Sequence, residues 1–424
     1  TGAASGLAGS LEADRLQVVV DLRYNPQQIS AVYIVPGLVG TILTMTVALV
    51  FVIVIGEIDL SAGVTAGTGM AVFVKLNQVM PQYWVWNLAF AFLIGLAVGW
   101  FIGFFVAKIG VPSFVISLAL YLALPGVMLI ILGEGGVLRV EVPEIKAIMN
   151  QNIPIWAGWA MLGVCLALTF AMGMWDRTRR VKAQLPVRPL TLLWIKVAAV
   201  AALGSGAVAL LSTNRSQNAF MPIAGVPLVI PFVLTILFLC TFLLDRTKYG
   251  RHLFAVGGNP EAARRAGIKV ARIRIQAFII CSSLAMLAGV FNISRVGNVE
   301  SSAGRAIVLQ GVAAAVVGGV SLFGGRGRVA HAALGAFVIA MIDNGLGLIG
   351  IPAGVNFIVT GGVLAVAATV DALARRRSGA PCPTRSETYR RHFPMRILLP
   401  CAGSATAQRR THLIRLIRGS PRRW

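Results

Sequence analysis

Few side chains in this sequence could do chemistry, and those few sit among apolar neighbours. In GEIDLSAG (56–63), Glu57 and Asp59 lie two residues apart and just ahead of Ser61. Acids placed within membrane segments are costly and usually face a cavity or a partner. One reading therefore makes Glu57, Asp59 and Ser61 a polar break beside a solute path. In the other, compatible reading, Asp59 or Ser61 caps the next helix while Glu57 reaches the aqueous interface. Asp343 and Asn344 in MIDNGLGLIG (341–350) pose the same choice, between lining a path and bonding across helices.

Other familiar chemistries are excluded. GGVSLFGGRGR (318–328) resembles a phosphate loop superficially, but Gly324 is followed by Gly325-Arg326 where a nucleotide cradle needs Lys-Ser/Thr. Its glycines read as tight turns and close helix contacts, with Arg326 and Arg328 at the inner interface. No nucleotide-cradle motif occurs elsewhere, and the GSGAVA run at 204–209 is a weak match inside an apolar span. His252 and His331 have no ligand partners at metal spacing. Cys165, Cys240 and Cys281 lie in apolar runs as small packing residues, and the remaining Cys382 and Cys401 make no disulfide framework. The expectation is no catalytic residue, no metal and no directly bound cofactor.

The elements that position these residues follow from composition. Of 424 residues, 57% are hydrophobic and 12% charged, and the mean hydropathy is +0.80. Soluble domains carry about 25% charged residues, so this chain cannot cover a globular surface of its size. Lipid must solvate much of it. The apolar runs are continuous rather than alternating, which selects membrane-spanning helices over a barrel. The fold class expected is all-α, a polytopic α-helical membrane protein. Apolar segments fall at 31–55, 64–78, 84–107, 110–133, 155–174, 191–211, 226–244, 276–293, 306–322, 329–349 and 354–372, with 64–78 and 306–322 short enough to be broken or re-entrant. Gly95, Gly99 and Gly103 share one helix face, as do Gly311, Ala315 and Gly319, a spacing that lets helices approach closely in lipid.

Charge then orients the chain. The net charge of +23 is gathered in short clusters between apolar runs, as the positive-inside rule produces, and nucleic-acid binding is not expected. Loops 175–190 and 245–275 are rich in Arg and Lys and belong on the cytoplasmic side; loops 134–154 and 212–225 fall outside. Counting back, the span at 31–55 must start outside, from which a first transmembrane helix is inferred to be missing or replaced. The domains expected are an N-terminal non-membrane segment (1–30), a transmembrane domain (31–374) and a basic tail (375–424). Within that tail, His412–Arg418 could make a short basic helix on anionic lipid; disorder or an out-of-frame extension are the other readings.

The most informative segment is YGRHLFAVGGNPEAARRAG (249–267). Gly257 and Gly258 are expected to break the backbone, Asn259 is a favoured N-cap, and Pro260 suits the first helical position. Glu261 complements the dipole, and Gly267 supplies a left-handed stop. A two-turn helix at about 260–266 is marginal alone, so it needs either a partner surface or lipid headgroups for Arg264 and Arg265. This segment resembles the cytoplasmic coupling loop of the ribose/xylose class of ABC sugar permeases. GEIDLSAG, AAAVVGGVSLFGGRGRV (313–329) and MIDNGLGLIG resemble the same family, in order, over residues 50–377. The resemblance implies a non-enzymatic permease subunit in the bacterial inner membrane, closest to the xylose branch. ATP would be hydrolysed on a separate ABC ATPase subunit, docked through Gly250, Arg251, Gly257, Gly258, Asn259, Pro260, Glu261, Ala262, Ala263, Arg264 and Gly267. It further implies an extracytoplasmic sugar-binding protein and a second permease copy as a homodimer. DLRYNPQQISAVYIVPGLVG (21–40) instead resembles the segment entering the second span of ABC-2 type exporter permeases, and a non-functional chimaera is a third reading.

Overall fold

Inside hydrocarbon a backbone must satisfy its own polar groups, so each long apolar run closes into a helix. In the computed structural model, residues 30–133, 136–184, 186, 189–213 and 224–377 are described. The expectations for 1–29 and for the tail beyond Arg377 lie outside them. The chain runs α1 (Ser30–Ile53), α2 (Ala62–Val79), α3 (Trp84–Phe104, continued by a π turn Phe105–Ile109) and α4 (Ser113–Leu132). Then come β1 (Val137–Arg139), α5 (Pro143–Asn150), β2 (Asn152–Ile153), α6 (Ile155–Lys182), α7 (Leu190–Ser212) and β3 (Val226–Pro227). The second half holds α8 (Val229–Arg246), α9 (Lys248–Gly258), α10 (Pro260–Arg265), α11 (Val270–Val296), β4 (Asn298–Glu300), α12 (Arg305–Val317), α13 (Val329–Leu348) and α14 (Ala353–Arg377).

Among the described residues, nine helices are long and apolar enough to cross a membrane. The all-α polytopic expectation holds, and each apolar segment is a helix. The helix begun at 155 continues well past its apolar run, because Arg179, Arg180 and Lys182 in its last turn complement the helix C-terminus. Both short segments differ from full spans. α2 is entered through the non-helical stretch 54–61, and α12 has 13 residues.

Two strand pairs and one backbone junction assign the ends. β1 pairs antiparallel with β4 and β2 with β3, so loops 136–154, 224–228 and 297–304 share one end. At the other end the Gly325 amide donates to the Val54 carbonyl at 2.8 Å, beside the basic 245–275 segment. The start of α1 belongs to the strand end, since a Cβ at Gly37 would touch Arg295 and Met149. The loops thus fall into the same two groups that their charges predict.

α1 and α11 are central, with 89% and 61% of their spanning windows buried, against 6% for α6, α7 and α14, which face outward. Close approach is made by glycine. A Cβ at Gly99 would lie 2.7 Å from the Phe278 carbonyl oxygen, and one at Gly103 would lie 2.8 Å from Ile275 Cα, so the Gly95/Gly99/Gly103 face packs on α11. Gly311 meets Met45 and Leu49 of α1, but Gly319 faces open space and sits at φ +81. It ends the turn after α12 instead of joining the packed face, which corrects the expected three-residue stripe.

Candidate functional site: the cytoplasmic loop and the broken helices

Three chain segments cross at backbone contact beneath the membrane domain. The end of α1 contributes Val54 and Gly56, α9 contributes Gly257 and Gly258, and the loop after α12 contributes Gly324 and Gly325. A Cβ at Gly257 would overlap the Val54 carbonyl oxygen and approach the Gly325 nitrogen to 2.8 Å. Gly257 and Gly258 therefore do not break the backbone, as their composition suggests; both are helical, within α9. The break falls one residue later, at Asn259, whose backbone is extended (φ −158, ψ 101). Glycine at 257 is needed for approach, not for a turn. Gly250 is constrained likewise, its hypothetical Cβ meeting the Leu244 carbonyl oxygen.

α10 is built as the sequence dictates. The Asn259 Oδ1 accepts from the amides of Glu261 and Ala262, each at 3.0 Å. Pro260 occupies the first helical position. At the far end the Gly267 amide donates to Arg264 O and the Ile268 amide to Ala263 O, both at 3.0 Å, with Gly267 at φ +81. This is a left-handed glycine stop with its paired return bonds. Glu261 lies 3.4 Å from Arg264 and 3.5 Å from Arg265. Only Ala263 is buried; Glu261, Ala262, Arg264 and Arg265 are exposed. Thr247 opens the preceding helix by accepting from the Gly250 amide at 3.2 Å, while Arg251 projects from its exposed side. Beneath it Tyr249 is largely enclosed, and burial pushes its phenol well above the ordinary value.

Of the acids of GEIDLSAG, Asp59 takes the helix-entry role read from the sequence, whereas Glu57 meets a basic partner instead of reaching the aqueous interface. Glu57 ion-pairs with Arg274 at 3.4 Å, with 15% and 26% of the two side chains exposed. Asp59 is buried, and its Oδ1 accepts from the Ser61 amide at 2.9 Å and from the Ser61 hydroxyl at 2.6 Å. Asp59, not Ser61, thus shapes the entry to α2. Sequence reasoning missed what holds the intervening backbone. The Ile58 amide donates to Ser113 Oγ at 3.1 Å and the Ser117 hydroxyl donates to the Ile58 carbonyl at 3.3 Å. Two serines four apart at the start of α4 were the available signal. Buried non-helical backbone must find its hydrogen-bond partners within the protein, and here two serines supply them.

α2 and α12 begin against each other. A Cβ at Gly63 would fall on the Gly304 carbonyl oxygen and one at Gly304 on that of Gly63, while one at Gly67 would lie 2.6 Å from the Ala303 oxygen. Two interrupted helices entered from opposite ends meet within the bundle, an arrangement of the kind that carries solute sites in transporters. Asp343 and Asn344 lie elsewhere: Asp343 accepts from Asn356 of α14, and Asn344 is half-buried beside it. The cross-helix role is the one the contact favours.

A many-spanned helical membrane protein, with interrupted helices inside and one capped helix displayed on the basic face, has the build of a transporter's membrane subunit. Residues 33–368 match a family described as the branched-chain amino acid transport system / permease component, and the chain belongs to that family. The xylose transport system permease protein of Escherichia coli (strain K12) is 34% identical over 339 residues, covering 79% of this chain and 82% of the relative. That of Haemophilus influenzae is 32% identical, covering 78% and 86%. The ribose import permease protein of Escherichia coli (strain K12) is 37% identical over 151 residues, 35% of this chain and 47% of the relative. No solved structure matches. The chain is a multi-pass permease of the bacterial inner membrane, not an enzyme.

Proposed function

We propose that this chain is the permease subunit of an ATP-driven importer for a monosaccharide, a pentose such as xylose. Its ATPase partner docks on α9 and α10, through Gly250–Arg251 and Gly257–Gly267. A binding protein delivers sugar at the strand end, and a second copy of the chain completes the pathway in the lipid bilayer. The observation that carries the docking assignment is α10 itself. It is six residues long and capped at both ends, yet only Ala263 is buried. A helix so short has little stability of its own, and its exposed face suits a partner surface. Movement of α10 reaches the interrupted helices through the glycine junction with Val54, the residue that leads into Glu57, Asp59 and Ser61.

Pentose as substrate rests on the likeness to the xylose and ribose permeases. Sealed vesicles holding the chain, its ATPase and its binding protein, given labelled xylose, ribose and glucose, test the reading. ATP-dependent uptake of a pentose is expected. Efflux independent of the binding protein would replace the importer with the exporter reading, and movement in neither direction would favour the non-functional chimaera.

A further inference from the structure

The cytoplasmic face holds a cavity of about 840 Å³ that shares only Arg251 with the docking assignment. Its lining includes Arg179 and Arg180 from the end of α6, Arg251 from α9, and Arg326 and Arg328 from the glycine loop. Arg246 lines it too, paired with Asp176. The other five arginines make no carboxylate ion pair among the described residues, where the ion pairs involve Arg246, Arg264, Arg265 and Arg274. Arg179 lies over the Trp175 ring at 4.2 Å, which fixes its guanidinium as a planar donor. Six arginines face two acids, Asp176 and Asp245.

The preference of basic residues for the inner face explains the side of the membrane. It does not explain why arginines from three separate chain segments converge on one concavity. Gathered like charges repel one another, and a concave wall focuses their field. Guanidinium groups match phosphate oxygens in paired hydrogen bonds, better than ammonium groups do. We propose that this cavity is an anion site for a phosphate group, carried either by an inner-leaflet lipid headgroup or by a soluble phosphate monoester. One wall is the outward-facing α6, while another is the loop whose Gly325 abuts Gly257 and Gly258. A bound phosphate would therefore tie the α6–α7 hairpin to the junction that positions α10.

The test uses the purified full chain in neutral phosphatidylcholine nanodiscs. Inorganic phosphate and glucose 6-phosphate are titrated by calorimetry, and phosphatidylglycerol retention is read by native mass spectrometry. Binding of a soluble probe assigns a free phosphate, and retention of phosphatidylglycerol alone assigns a headgroup; either supports the site. Arg180→Gln and Arg326→Gln, on different chain segments of the lining, are each expected to weaken binding about tenfold, and Arg326→Lys less, because a bidentate contact is lost. Arg272→Gln, on the same face outside the cavity, is expected to change it by less than about twofold, as a distant screened charge should. No binding by any probe, or equal weakening by Arg272→Gln, overturns the proposal.

Discussion

Replacing Asn259 with alanine isolates the contribution of one side chain to the proposed ATPase dock. Its Oδ1 takes two amide bonds at 3.0 Å, from Glu261 and Ala262. Losing such a cap costs about 1 kcal/mol, a factor of roughly five in the balance between formed and unformed helix. A six-residue helix has no length from which to recover that loss. If docking requires the formed helix, the apparent ATPase affinity scales with the fraction formed, so Asn259→Ala should bind up to about fivefold more weakly, by about threefold if the free helix is half formed. Asn259→Asp should bind like the wild type, since both residues cap well. Titration of the purified permease with its ATPase measures the affinity, and amide exchange over residues 259–268 reports helix formation. Faster exchange with unchanged affinity would refute the link between α10 and docking. Unchanged exchange would refute the capping argument itself.

Other substitutions test the surrounding structure. Gly257→Val forces a side chain onto the Val54 carbonyl, and overpacking of this kind costs about 1–3 kcal/mol; thermal unfolding in detergent should register it, whereas Gly258→Ala, whose Cβ meets nothing within 4 Å, should be near neutral. The double change Ser113→Ala with Ser117→Ala removes both partners of the Ile58 backbone and should destabilise by about 1–3 kcal/mol per orphaned group, read by the same unfolding assay. Tyr249→Phe should be neutral or stabilising, because the buried hydroxyl finds no hydrogen-bond partner among the described residues. In the wild type the raised phenol pKa favours the protonated form in the folded state. That contribution is intact below the unfolded value of about 10 and lost as pH rises past it, so Tyr249→Phe should flatten the loss of stability at high pH.

Much of this architecture is legible in the sequence because lipid imposes a simple rule. Each apolar run had to become a helix, and the clustering of arginine and lysine grouped the loops into the same two ends that the strand pairs and the glycine junction do. The cap and stop of α10 were equally readable, since Asn259, Pro260 and Gly267 act on neighbours two to four residues away. What escaped depends on distant partners. Gly257 looked like a breaker, yet its role is set by Val54, some two hundred residues earlier. Glu57 gave no hint of Arg274, and Asp343 gave none of Asn356. The meeting of Gly63 and Gly304 is also a tertiary fact, although both interrupted segments were recognisable by their shortness. Residue type announces local backbone needs; pairing across a bundle is fixed by helix packing that one sequence does not encode position by position.

The central claim is that α10 couples this permease to its ATPase, and an exchange of charges tests it most directly. Glu261→Arg combined with Arg264→Glu and Arg265→Glu keeps oppositely charged pairs at positions now 3.4 and 3.5 Å apart while the charges the helix displays are reversed, and amide exchange over residues 259–268 checks that it still forms against the dipole. Capture of the ATPase by the membrane-inserted permease is then measured beside the wild type. Loss of capture, with membrane insertion and thermal stability unchanged, is the predicted result. Undiminished capture would contradict the account.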